Sequence, residues 1–228
     1  MRRTRALHRW SVSPREAVEI QKRLARRVRA VPPRGEIRRV AGVDATFTPD
    51  GRHALAGVVL WDLRDGEVIE QHTARARLTF PYVPGLLSFR EAPALLRALR
   101  KLREMPHAVL CDGHGIAHPR RFGLACHVGL QLEVPAVGCA KSRLVGEHRV
   151  PAASRGSRTA LVHRGERVGT VLRTRDGVKP VFVSVGHRFD LPGAERLVLA
   201  CASRFRIPEP IRRADRLVAA ARRGPAPG

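Results

Sequence analysis

The sequence has few acidic and few aromatic residues for its length. Its 228 residues include 20 Asp and Glu against 43 Lys and Arg, which gives a formal charge of +23. Only four of the basic residues are lysines. Such an excess indicates a polyanionic partner such as a nucleic acid. The compositional bias of a GC-rich genome is an alternative source of arginine, but it does not account for the scarcity of acids. The arginines are spread along the chain, so charge alone does not locate a binding surface.

Cysteines are also few, and long apolar runs are lacking. Four cysteines lie in apolar surroundings without paired spacing: Cys111, Cys126, Cys139 and Cys201. This pattern excludes a disulfide framework and a zinc site. No run approaches membrane-spanning length, and the N-terminal segment lacks the apolar stretch of a signal peptide. We therefore expect a cytoplasmic protein without a membrane partner. We also expect a single domain over residues 1–228, with a disordered tail at 224–228.

Hydrophobic periodicity and turn signals predict an α/β chain. A capping box at Ser13–Glu16 begins a helix to about Val28. Further helices are predicted over residues 88–102, 122–132, 194–203 and 210–222. Strands are predicted over 39–47, 54–63, 68–78, 108–112, 136–140 and 180–185, with a hairpin over 160–174. The first three strands form an antiparallel meander, and the strand–helix–strand order of residues 108–140 indicates parallel pairing. The expected fold is a mixed sheet, an antiparallel meander followed by parallel strands, with helices on both faces.

Two aspartates stand out against apolar strands. Asp112 follows the apolar run 108–111 and precedes two glycines, two histidines and an arginine within eight residues. Asp44 lies inside the first predicted strand, where an unpartnered carboxylate is costly to bury. If the fourth strand pairs with the first, the two carboxylates converge on one edge of the sheet, and a divalent cation would relieve their repulsion. In so basic a protein, the pair suggests metal-assisted chemistry on a phosphodiester. Asp112 taken alone would favour the simpler interpretation, the start of an Asp-Gly turn, because such turns are common.

Three further residues could serve such a site. Glu91 could supply a third oxygen, or it could complete a capping box with Ser88 at the start of the second predicted helix. His118 lies in the loop after the fourth predicted strand, where it could contact phosphate or aid proton transfer. Lys141 follows the fifth predicted strand. It could be a solvated strand end, but an isolated lysine among so many arginines suits a point-charge contact to a scissile phosphate.

Seven short motifs together resemble the endonuclease V family. They are VAGVD at 40–44, PYVPG at 81–85, SFRE at 88–91, DGHGIAHPR at 112–120, GCAKS at 138–142, DGVKP at 176–180 and IPEP at 207–210. The resemblance runs from the first helix to the last, and the second and fourth motifs are highly specific. It implies a ribonuclease-H-like fold, in agreement with the predicted sheet. Two places depart from the family pattern. Ile211 replaces a common threonine, and the loop 143–158 is unusually basic, so no role is carried onto it.

The resemblance implies a role for each of the candidate catalytic residues. Asp44 and Asp112 would be metal ligands, with Glu91 as a supporting acid. Lys141 and His118 would contact the scissile phosphate.

The resemblance also implies how the nucleic acid is held. Tyr82, beside Pro81, would be a wedge that fills the space left by a flipped base. Its ring could instead pack inward and anchor the loop, although the flanking prolines favour an exposed tip. The backbone around four residues would form the hypoxanthine pocket: Gly85, Leu87, Gly113 and Leu124. Asp215 stands where relatives carry histidine or aspartate near the metal.

The implied activity is DNA repair. Family members use magnesium, for which manganese can substitute, to cut the second phosphodiester bond 3′ to deoxyinosine, which is deaminated adenine. They leave a 3′-hydroxyl and a 5′-phosphate. The expected partner is single- or double-stranded DNA containing deoxyinosine, bound by a monomer. One alternative is a nuclease that acts mainly on inosine-containing RNA with the same site. The other is a nucleic-acid-binding protein without catalysis, which the joint presence of the three acids and the lysine disfavours.

Overall fold

The computed structural model describes residues 6–223, which form an eight-stranded sheet and five helices. The strands are β1 (Arg39–Phe47), β2 (His53–Asp62), β3 (Glu67–Arg77), β4 (Ala108–Cys111), β5 (Ala136–Ala140), β6 (Arg158–His163), β7 (Glu166–Leu172) and β8 (Val181–His187). The helices are α1 (Pro14–Ala25), α2 (Ser88–Leu99), α3 (Leu124–Leu132), α4 (Leu191–Cys201) and α5 (Glu209–Arg223). The tail predicted to be disordered lies outside the described residues. Within 6–223, no helix is both long enough and apolar enough to cross a membrane.

The strand order is β3-β2-β1-β4-β5-β8-β7-β6, which confirms the predicted mixed sheet. Its parallel part consists of β1, β4 and β5. Beyond β5 the sheet is antiparallel again, because β8 pairs antiparallel with both β5 and β7. Residues 173–180 connect β7 to β8 without a helix, and a connection of that length suits antiparallel rather than parallel neighbours.

Both predicted helix starts are confirmed, but only one of the two predicted capping boxes is present. At α1, the Ser13 hydroxyl accepts the Glu16 N–H and the Glu16 carboxylate accepts the Ser13 N–H, so the capping box is present. At α2, Leu87 already has helical backbone angles (φ −55°, ψ −34°) and occupies the N-cap position. The Ser88 side chain therefore lies within the helix and is hydrogen-bonded to another helix instead of capping its own. Glu91 is consequently not part of a cap.

Helices cover both faces of the sheet, as predicted. Side chains of α2 and α3 pack on one face with Ala41 and Val43, whereas α4 and α5 pack on the other with Val40 and Leu110. Helix α1 lies outside α2 and α3 and packs on both. All four cysteines are buried, and none of them is paired in a disulfide within the described residues.

Two strand glycines allow α5 to lie directly on the sheet. A Cβ atom at Gly42 would lie 2.1 Å from the carbonyl carbon of Pro210, and one at Gly57 would lie 2.7 Å from a methyl group of Val218. Any larger residue at these positions would push the helix away. Ile211 is fully buried in the core beneath the helix, so its apolar side chain fits this position. The close approach holds Asp215, on the next turn of α5, beside the edge of β1.

Candidate active site

Asp44 and Asp112 lie side by side because of the parallel pairing of β1 with β4. The register matches Val43 with Cys111, and the Asp112 N–H donates to the Val43 carbonyl at 3.2 Å. The next residue on each strand is an aspartate. Val40 and Leu110 pack with α5 in the core on one face of the sheet. Asp44 is four residues after Val40 and Asp112 is two residues after Leu110, so strand alternation places both aspartates on that face. The pairing expected from the sequence is therefore present.

A cluster of negative charge results from this arrangement. Burial, then the charge of Asp112, raises the pKa of Asp44 to about 7, and Asp215 acts in the same direction. Burial, followed by the charges of Asp44 and Asp112, raises the pKa of Glu91 to about 8. The three carboxyl groups on β1, α2 and the end of β4 thus lie close together, and the charge of Asp112 opposes the ionisation of Asp44 and of Glu91.

Lys141 is the cation that partly compensates this cluster. Its ammonium nitrogen lies 2.5 Å from Oδ2 of Asp112, at the end of β5 next to β4. Burial lowers the pKa of Lys141, but its hydrogen bond to Asp112 and the charges of Asp112 and Asp44 outweigh burial and raise it. The lysine side chain remains 46% exposed, so its ammonium group is accessible to an incoming anion.

The donor set suits a divalent cation that shares its coordination with water and substrate. Within residues 6–223, no three His, Cys, Asp or Glu side chains are arranged to hold a metal ion by themselves. Magnesium, however, commonly takes one or two carboxylates and completes its shell with water and phosphate oxygens. Asp44 and Asp112 offer two such carboxylates, and the pKa of Asp44 is raised by burial and then by the charge of Asp112, which a cation would neutralise.

Two depressions meet at these acids. The first, here called the carboxylate cleft, is lined by Asp44, Lys141 and Asp215, with Arg222 at its rim. The second, the apolar cavity, has a volume of about 290 Å³. Its lining includes Glu91 and Asp112 together with the residues expected to form a base pocket: Tyr82, Gly85, Leu87, Gly113 and Leu124. Asp112 and Lys141 join the two depressions through their ion pair.

The loop that carries Tyr82 is fixed at both ends. Phe80 and Leu86 are buried on either side of it, whereas Tyr82 is 71% exposed. Gly85 has a left-handed backbone (φ 76°), which allows the tight turn. The alternative of an inward-packed ring is therefore wrong, and the predicted exposed tip is confirmed. Pro81 is also exposed and lies outside the cavity lining.

His118 contacts this loop and has both ring nitrogens engaged. Nε2 donates to the Gly85 carbonyl at 2.9 Å, and Nδ1 accepts the Arg120 N–H at 3.2 Å. Burial, assisted by the charge of Arg120, lowers the pKa of His118 to about 4, so the ring is neutral. These contacts favour a role in holding the loop. The contact to a scissile phosphate stays a prediction.

Sequence reasoning missed a second layer of residues behind the cavity. Gln21 donates to the carbonyls of Gly85 and Phe122, both at 3.1 Å, and the Arg120 guanidinium donates to the Gly85 carbonyl at 2.7 Å. A signal for Gln21 was present, because it lies one turn from both Ala17 and Leu24 on the apolar face of α1. A polar residue on such a face needs a buried partner.

A family model for Endonuclease V matches residues 21–216 of the chain. The chain is 50% identical over 217 residues to Endonuclease V from Alkalilimnicola ehrlichii, which covers 95% of this chain and 96% of that protein. These matches confirm the resemblance carried by the seven motifs.

Solved structures of similar proteins share the fold. The crystal structure of Endonuclease V from Streptomyces avermitilis is 44% identical and superposes with a TM-score of 0.89, covering 93% of this chain and 94% of the other. That of Bacillus subtilis is 31% identical with a TM-score of 0.90, covering 95% of each chain. The likeness over nearly the whole chain confirms the ribonuclease-H-like fold.

Proposed function

Because the chain belongs to the endonuclease V family, we propose that it is a repair endonuclease acting on DNA that contains deoxyinosine. It cuts the second phosphodiester bond on the 3′ side of the lesion and leaves a 3′-hydroxyl and a 5′-phosphate. The observation that carries this proposal is the connection of the apolar cavity with the carboxylate cleft through the ion pair of Asp112 with Lys141. A base that entered the cavity would leave its backbone beside the carboxylates and Lys141.

The three acids would have two roles: two of them would bind a cation, and the third would support that site. Asp44 and Asp112 would bind magnesium, and Glu91 would be a supporting acid on α2. Bound magnesium stabilises charge on a phosphate and lowers the pKa of a water molecule, which suits hydrolysis at neutral pH. Lys141 needs no rearrangement of its neighbours to contact a phosphate oxygen, since its ammonium group is partly exposed at the edge of the cleft. A lysine there acts as a compact point charge.

Recognition of the lesion is assigned to the loop and the cavity. The exposed Tyr82 ring would occupy the gap left in the helix when the base turns into the cavity, which offsets part of the unstacking cost. General affinity comes from the chain's charge of +23, through contacts to phosphates that do not distinguish bases.

The test uses end-labelled oligonucleotides that differ only in one base. Duplex and single-stranded DNA with one deoxyinosine, the same strands with deoxyadenosine, and an RNA strand with one inosine are incubated with and without magnesium. We expect a single magnesium-dependent cut at the second bond 3′ to deoxyinosine. Cleavage of RNA alone would replace the proposal with an inosine-specific ribonuclease. Binding without cleavage of any strand in magnesium or manganese would indicate a protein that has lost catalysis.

A further inference from the structure

A chain of three side chains connects the N-terminal segment to the apolar cavity. Nε2 of His8 lies 2.6 Å from Nε2 of His127, and Nδ1 of His127 lies 3.0 Å from the hydroxyl oxygen of Ser88. Ser88 is 4% exposed and lines the cavity, and His127 is fully buried between α2 and α3. The chain therefore begins near the surface and ends where a base would lie.

The position of the proton on His8 determines which atom donates in each hydrogen bond of this chain of side chains. Nδ1 of His8 lies 2.7 Å from the Arg9 carbonyl, which can only accept, so this nitrogen carries a proton. The two Nε2 nitrogens, 2.6 Å apart, need one donor and one acceptor. Burial lowers the pKa of both His8 and His127, which favours a single proton on each ring. Nε2 of His8 must then accept from Nε2–H of His127. Nδ1 of His127 is left without a proton and accepts from the Ser88 hydroxyl.

The consequence is a fixed polarity at Ser88. Its only proton points to His127, so its oxygen has lone pairs alone to offer to a ligand. His114 lines the same cavity, and its buried Nδ1 has no hydrogen-bond partner among the described residues. Ser88 thus offers the cavity an acceptor that needs a donor.

We propose that Ser88, oriented by His127 and His8, is a specificity-determining residue that accepts a hydrogen bond from the ring N–H of a 6-oxopurine. Hypoxanthine carries a proton on N1, whereas N1 of adenine is an acceptor and would face the Ser88 oxygen with like polarity. The inference rests on the proposed function and adds to it the residue that distinguishes the deaminated base from its parent. His127 and His8 are positioning residues in this scheme.

The test measures dissociation constants in EDTA for DNA strands that carry hypoxanthine, adenine or unsubstituted purine at one position. Unsubstituted purine has an acceptor at N1 and no oxygen at C6. His127→Phe keeps a buried ring but removes the acceptor, so the Ser88 hydroxyl becomes free to donate. We expect the preference for hypoxanthine over purine to fall roughly tenfold, the size of one neutral hydrogen bond. Ser88→Ala should reduce the preference similarly, and His8→Phe should reduce it less.

The matched control is His107→Phe. His107 lies just before β4, at the opposite end of that strand from Asp112, and its Nδ1 accepts the Arg38 N–H at 3.0 Å. This variant should lose stability without a change in base preference, as a purely structural histidine would. If His127→Phe does not fold, the preferences of Ser88→Ala and His8→Phe for hypoxanthine over purine test the inference. If folded Ser88→Ala keeps the wild-type preference for hypoxanthine over purine, the inference is overturned and the proposed function is not. A wild-type protein that neither prefers nor cuts deoxyinosine strands would overturn the proposed function and the inference with it.

Discussion

The ammonium nitrogen of Lys141 lies 2.5 Å from Oδ2 of Asp112, and this ion pair joins the ends of two neighbouring parallel strands, β4 and β5. It compensates one carboxylate of the cluster, while Asp44 and Glu91 keep raised pKa values. The edge of the sheet therefore combines a cation that can contact phosphate with acids that need a further positive charge. Such a combination is typical of phosphodiester hydrolysis assisted by a metal.

Replacing either strand aspartate with asparagine should reduce cleavage while leaving DNA binding nearly unchanged. Asp44→Asn and Asp112→Asn each preserve side-chain volume and remove one negative charge. We expect cleavage in magnesium to fall on the order of a hundredfold or more, with DNA affinity nearly unchanged because arginines supply most of it. Single-turnover cleavage and anisotropy titrations measure the two quantities. Near-normal cleavage by either variant would show that the residue does not hold the metal.

The sequence predicted this pair because both clues were local. An apolar run on either side of Asp44 and the glycine-rich turn after Asp112 mark two strand positions, and parallel pairing then brings them together. The partner of Ser88 was not predictable in this way. His127 is 39 residues distant in the chain, and only the packing of α2 on α3 brings the two side chains together. A local capping pattern was therefore overridden by a tertiary hydrogen bond.

Binding to DNA should weaken steeply as salt rises. The charge of +23 implies that many counterions are released from DNA on binding. A protein with several phosphate contacts loses roughly a thousandfold in affinity between about 50 and 200 mM salt. The preference for deoxyinosine strands should change much less, since phosphate contacts do not distinguish bases. Titrations at four salt concentrations measure both quantities, and an affinity that is flat across this range would contradict the expectation.

Glu91→Gln should stabilise the metal-free protein, and the gain should increase with pH. The pKa of Glu91 is about 8 in the folded chain against an ordinary value of 4.5. Between these values the unfolded chain is ionised and the folded chain is not, so wild-type stability falls by about 1.4 kcal/mol per pH unit from this residue. Glutamine does not titrate. Urea unfolding in EDTA at pH 5, 6.5 and 8 measures the difference.

A suitable control for that experiment is Glu166→Gln. The carboxylate of Glu166 is hydrogen-bonded by Arg121, which lowers its pKa. Glu166→Gln should therefore give no gain in stability as the pH rises. A Glu91→Gln difference that is equally flat between pH 5 and pH 8 would mean that the carboxyl group is ionised in the folded protein throughout this range.

Tyr82→Ala should reduce recognition without affecting the fold. The ring is 71% exposed, whereas the buried Phe80 and Leu86 hold the loop on either side, so the melting temperature should hardly change. Stacking of a base on an aromatic ring contributes about 1–3 kcal/mol. Affinity for a duplex with one deoxyinosine should thus fall roughly ten- to a hundredfold, and discrimination against undamaged duplex should fall with it. Tyr82→Phe retains the planar ring and should behave as wild type. A large loss of thermal stability with intact discrimination would instead identify Tyr82 as a structural anchor of the loop.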